Sequence, residues 1–336
     1  MNFVGKPYYE LNFKLLWAAG LPFTDFPKSS YMLCRLRNII CYFTLFAILF
    51  LQLAKIYTDP DRNLKLIVKI FSDLFGAMFL LVMYSASHAY IDKIKMLLDQ
   101  RLDDWKNLKT NKEIDIIWHY ANNGRIFTIF LLIFAYGGAV GVIALQLMPT
   151  FLDIVTYRNE SRPRKLLVEL EVFVDEQKYF YCIVAIVVGG YIVVTTAMIA
   201  TMSLSVILVQ HACCFFKLAS HRLEYLLHHA SSRDYKDDRK IYMQLVDAVD
   251  MHTKAYGLVE YLKTDFSIPY IIMIPLGVLS TSINLFRLFQ AKKFIDNPEE
   301  LIGTALFIVA HFIYMFLANY AGQMITDHST DIFNKT

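Results

Sequence analysis

From Tyr179 to Phe216 the chain contains no Asp, Glu, Lys or Arg. A helix that long, rising about 1.5 Å per residue, outreaches the roughly 30 Å hydrocarbon core of a bilayer. It must tilt, or run on beyond the membrane as one continuous helix. Five further stretches hold the ~20 predominantly apolar residues that a span needs: about Leu36 to Ile56, Leu64 to Ser87, Ile126 to Phe151, Phe266 to Phe286 with Pro269 and Pro275 inside it, and Leu301 to Met324. No stretch shows the short alternation of barrel strands, so helices are the expected spanning form. The expected fold is an all-α membrane protein, a bundle of six transmembrane helices with long amphipathic cytoplasmic helices and the N-terminus inside.

Composition agrees with a membrane setting. Charged residues make up 19% and apolar ones 56%, with mean hydropathy +0.41, whereas soluble domains carry about a quarter charged residues. A net charge of +3 is too small to argue for nucleic acid. Five scattered cysteines, Cys34, Cys41, Cys182, Cys213 and Cys214, give neither a disulfide framework nor a zinc spacing. The charged N-terminal stretch does not read as a cleaved signal peptide.

Lys and Arg near the span ends favour a cytoplasmic N-terminus by about two to one. That orientation puts Asn159, in the sequon Asn159–Ser161, into the outer loop between spans three and four, where it is an expected glycosylation site. The domains then read as a cytoplasmic N-terminal segment (1–35), spans one to four (36–210), cytoplasmic helices (211–265), spans five and six (266–324) and a cytoplasmic tail (325–336). In the inner loop, Ile241, Leu245, Ala248, Val249, Tyr256, Val259 and Leu262 recur at helical spacing, as do Phe215, Leu218, Arg222 and Leu226 before them.

Several stretches, in this order, resemble the insect odorant receptors: YYELNFKLLWAAGLP (Tyr8–Pro22), HACCFFKLASHRLEYL (His211–Leu226), DAVDMHTKAYGLVEYL (Asp247–Leu262), SINLFRLF (Ser282–Phe289) and NYAGQMITDHSTDIF (Asn319–Phe333). The resemblance implies a seven-helix, N-inside receptor in the plasma membrane of sensory dendrites. It implies a ligand-gated, nonselective cation channel formed with a co-receptor subunit, and a pocket for a small volatile molecule in the outer half of the bundle. It also implies that the inner-loop helices and a seventh helix anchor the assembly, the seventh lining the pore. The chain departs from this pattern after Phe333: the family's aromatic stretch and seventh helix do not follow. It is therefore expected to be a receptor subunit lacking that helix. The alternative is a truncated, non-conducting ligand-binding or assembly protein.

Such a pocket takes apolar and aromatic lining with a few polar groups. The candidates are Phe75, Met78 and Phe79 in span two; Gly138, Gly141, Val142, Leu145 and Gln146 in span three, where the glycines leave room; Tyr179, Ile183 and Ile186 in span four; and Phe307, His311 and Tyr314 in span six. Each aromatic taken singly also reads as ordinary helix packing. Lys69 and Asp73, four apart on span two, can pair on one helical face. His311 should face the bundle, either lining a pocket or making a structural hydrogen bond. His221, His228 and His229 lack the repeated boxes of a di-iron membrane enzyme and read as a solvated helix face, and HACC (His211–Cys214) has no second ligand pair. No enzymatic motif and no cofactor is expected. The expected partners are an odorant, the co-receptor and membrane lipids.

Overall fold

The computed structural model describes residues 6–21, 28–60, 63–104, 110–155, 166–230, 238–290 and 298–335. They form seven helices: α1 (Lys6–Ala18), α2 (Lys28–Thr58), α3 (Leu64–Asp104), α4 (Asn111–Val155), α5 (Phe180–Ala230), α6 (Asp238–Gln290) and α7 (Pro298–Lys335). Six of them, α2 to α7, are long and apolar enough to cross a membrane.

The length of the uncharged run appears as helix α5, whose 51 residues measure roughly 77 Å at about 1.5 Å per residue. Its antiparallel partner α6 has 53 residues and absorbs Pro269 and Pro275, which membrane helices tolerate when neighbouring groups take up the freed backbone. The amphipathic inner-loop segments are thus the continuations of the spanning helices themselves. On the inner part of α6, Met251 and Ala255 are buried against Cys213, Phe215, Phe216 and Ala219 of α5, and Ala248 and Leu258 are buried too. Leu245, Val249 and Tyr256, expected on the same apolar stripe, are exposed. The face that closes on α5 carries Met251 and Ala255 and leaves Leu245, Val249 and Tyr256 outside.

Helix α1 plugs the bundle opposite the 166–179 loop. Leu16, Ala19 and Leu21 are wholly buried, and Asn12 Nδ2 donates to Thr128 Oγ1 of α4 at 2.7 Å. The helix ends in a glycine turn: Gly20 has φ +77, Leu21 N bonds Leu16 O at 2.8 Å and Gly20 N bonds Trp17 O at 3.1 Å. This paired 6→1 and 5→2 pattern needs a left-handed residue after the helix. A Cβ on Gly20 would also stand 2.2 Å from Asn38 N, so no other residue fits.

At the same end, α7 continues as helix past the apolar run to Lys335. Its polar turns dock: His328 bonds Tyr120 of α4, Asp331 lies 3.5 Å from Lys217 of α5, and Ile332 is buried. Beside them Glu113, 3% exposed, holds Arg222 Nε at 2.6 Å, while exchanging capping bonds with Thr110 at the start of α4. An open groove of about 250 Å³ runs here between Phe216, Tyr256, Val259, Ile325, Thr326, Ser329 and Thr330.

Candidate functional site

Midway along α3 stands a glycine that the sequence reading passed over. A Cβ on Gly76 would lie 2.7 Å from Phe307 Cζ, so its absence lets the Phe307 ring of α7 settle onto the α3 backbone. From that contact an aromatic ladder climbs α7 at helical spacing. Phe307 and His311 lie with ring centroids 4.6 Å apart. Phe79, one turn on from Gly76, meets Tyr314 edge-on at 4.8 Å and His311 at 6.4 Å. Phe79 is 8% exposed and packs with Met83, Met273 and Leu276, with Phe75 half-buried against them. Gly277 of α6 brings that helix within contact, a Cβ there standing 3.8 Å from Phe79.

Four of the expected residues, Phe79, Phe307, His311 and Tyr314, therefore meet at one α3–α7 crossing, where rings of α7 reach α3 while the two backbones stay apart, and Phe75 borders it. Met78 is 38% exposed and turns outward. On α4, Gly138 has no heavy atom within 4 Å of a would-be Cβ, and Gly141 meets only Leu306 of α7 at 3.9 Å. Both glycines leave space unfilled on α4, with Val142 and Leu145 half-buried beside them. Gln146 is buried but committed elsewhere: its Oε1 accepts the Leu167 N–H at 2.8 Å. On α5, Ile183 is buried, whereas Tyr179 and Ile186 are exposed, Ile186 at 75%. Asn159 lies outside the described residues.

The segment 166–179 straps this end of the bundle. Besides Gln146 on α4, it is held to α3 by Lys69 Nζ, 2.7 Å from Glu169 Oε1. Lys69 thus pairs across to the strap, a partner that the four-residue spacing to Asp73 could not reveal. Glu171 takes a hydrogen bond from the Thr58 hydroxyl of α2, and its own N–H bonds Leu51 O at 3.1 Å. The Thr58 bond, with Phe173 N–H and Lys55 nearby, holds the Glu171 carboxyl below the usual carboxylate range. Phe173, held at φ 51, is exposed at the turn of the strap.

Aromatic rings, a methionine pair and the polar groups of His311 and Tyr314 are the residue types that line sites for small apolar molecules. Among the described residues no group of three or more His, Cys, Asp and Glu could hold a metal. His211, of the HACC stretch, is buried against Tyr9, its Nδ1 3.4 Å from the phenol oxygen.

The family model described as "7tm Odorant receptor" matches residues 67–336. Among solved structures, the insect olfactory receptor OR5 from Machilis hrabei aligns over 97% of this chain and 81% of its own, with TM-score 0.67 at 15% identity. The same receptor in complex with eugenol aligns over 97% of this chain and 89% of its own, with TM-score 0.68 at 13% identity. At identities this low, the TM-scores establish a shared fold alone. No curated protein sequence matches the chain.

Proposed function

The chain belongs to the seven-transmembrane odorant receptor family, and on that premise we propose that it is an odorant receptor subunit sensing a small, mostly apolar volatile molecule. The observation that carries this reading is the α3–α7 crossing, where Gly76 and Phe79 receive Phe307, His311 and Tyr314. Eugenol in the complex of the M. hrabei receptor supports a small ligand of the same broad kind. Of the other expected residues, Val142, Leu145, Ile183 and the glycines of α4 complete the lining on this reading. The reading is one of binding rather than catalysis.

Ligand filling this space favours one packing of α3, α4 and α7 over another, a population shift whose size equals the ligand's preference between the two. Because α7 is one helix from the crossing to its docked end at His328 and Asp331, a tilt at the crossing reaches the opposite end of the bundle without an intervening joint. There the subunit meets its co-receptor and biases a nonselective cation pore. Tyr242, Met243, Val246 and Val249 of α6 lie exposed at that end, an apolar surface suited to a partner subunit. The protein resides in the plasma membrane with its N-terminus inside, and Asn159 carries a glycan outside.

The test is co-expression with a co-receptor in cells lacking both, with ligand-evoked current recorded across a panel of small volatiles. Evoked current that requires this chain supports the reading; surface-expressed protein that never changes the co-receptor's response contradicts it. Glycosidase sensitivity that disappears with Asn159→Gln checks the topology separately.

A further inference from the structure

His311 and Tyr314 stand three apart on α7 and both contact the Phe79 ring, so their side chains leave the same face of that helix. The Nδ1 of His311 lies 3.1 Å from the Phe307 carbonyl oxygen. A carbonyl only accepts, so in the neutral ring Nδ1 carries the proton and Nε2 presents a lone pair. No described residue bonds Nε2, and none bonds the Tyr314 hydroxyl. One acceptor and one hydroxyl therefore lie on the same face of α7, three residues apart and each half-buried beside Phe79.

Resting on the reading of this crossing as the ligand site, we propose that the preferred ligand is a hydroxyl compound, an alcohol or phenol, whose O–H donates to His311 Nε2 and accepts from Tyr314. A hydroxyl is the common small group that does both. An aldehyde, ketone or ester accepts from Tyr314 yet leaves Nε2 unmet; an ether does the same; a hydrocarbon satisfies neither. Sites that hydrogen-bond a ligand hydroxyl reject analogues lacking it, because their own polar atoms are then left buried and unpaired.

The test uses the full chain in lipid nanodiscs. It measures how four probes of one skeleton raise the unfolding temperature: benzyl alcohol, benzyl methyl ether, benzaldehyde and toluene. Benzyl alcohol is expected to reach half-effect at about tenfold lower concentration than its methyl ether. His311→Phe should close that gap, while His311→Gln, which keeps an acceptor, should preserve part of it. Tyr314→Phe should remove the advantage of benzaldehyde over toluene. Comparing ratios between variants in one lipid cancels the differing membrane partition of the probes. Equal action of alcohol and ether, or a gap that survives His311→Phe, overturns the hydroxyl preference while leaving the ligand site standing. Absence of any shift with all four probes refutes the site itself, and this inference with it.

Discussion

Substituting Gly76 by Ala tests the α3–α7 crossing because two effects of known sign oppose each other there. Alanine is the better helix former by about 1 kcal/mol. The added Cβ, however, would stand 2.7 Å from Phe307 Cζ, well inside the 3.4 Å at which ordinary contact begins. Either the ring swings off His311 or the helices part, and such overpacking costs about 1–3 kcal/mol. Gly76→Ala alone should therefore leave stability between about level and 2 kcal/mol worse. In a Phe307→Leu background the clash is relieved, and the same change should stabilise by up to about 1 kcal/mol. The cycle then yields a coupling of about 1–3 kcal/mol, measured by reversible unfolding in mixed micelles. Gly138→Ala is the control: nothing lies within 4 Å of its Cβ, so its effect should not depend on residue 307. Equal stabilisation by Gly76→Ala in both backgrounds would refute the close approach.

Other contacts give sharper single readings. Glu113 and Arg222, with side chains 3% and 12% exposed, form a nearly buried pair, so Glu113→Ala should cost about 3–5 kcal/mol by stranding the guanidinium; adding Arg222→Ala should restore part of it, and a loss below about 1 kcal/mol in the single variant would show the pair to be solvated. Glu171 sits below the ordinary carboxylate range, so its hold on the strap is complete above about pH 4.3 and fades as pH falls through its folded value. The protection factors of strap amides, taken against the intrinsic exchange rate at each pH, should fall on acidification in the wild type and stay level in Glu171→Gln; protection unchanged down to pH 3 would mean that the Thr58 contact holds nothing.

How much of this was legible in the sequence follows from what each feature depends on. The six spans were readable because a bilayer imposes a length and a hydropathy that need no partner to be seen. Phe79, Phe307, His311 and Tyr314 were found because rings repeating along α7 and α3 advertise a face. Gly76 was not, since a glycine in an apolar run looks the same whether it receives a ring or faces lipid; its meaning lies in Phe307, more than two hundred positions away. The same limit hid Glu169 from Lys69, whose visible neighbour at four residues was Asp73. On α6 the helical period was right but the side buried on α5 is that of Met251 and Ala255, which left Val249 and Tyr256 outside. Hydrophobicity alone favours the larger residues, whereas close helix packing favours the smaller.

The most direct test of ligand sensing at the α3–α7 crossing is the concentration–response of evoked current from this chain with a co-receptor, wild type against Gly138→Leu. A Cβ at Gly138 meets no heavy atom within 4 Å, so the leucine starts into open space and surface expression should hold, while on the proposed reading its outer atoms compete with the active volatile. The expected result is ligand-evoked current in the wild type and a potency loss of about tenfold or more in the variant. Identical potency in the two, or a wild-type chain at the cell surface that never alters the current, would contradict it.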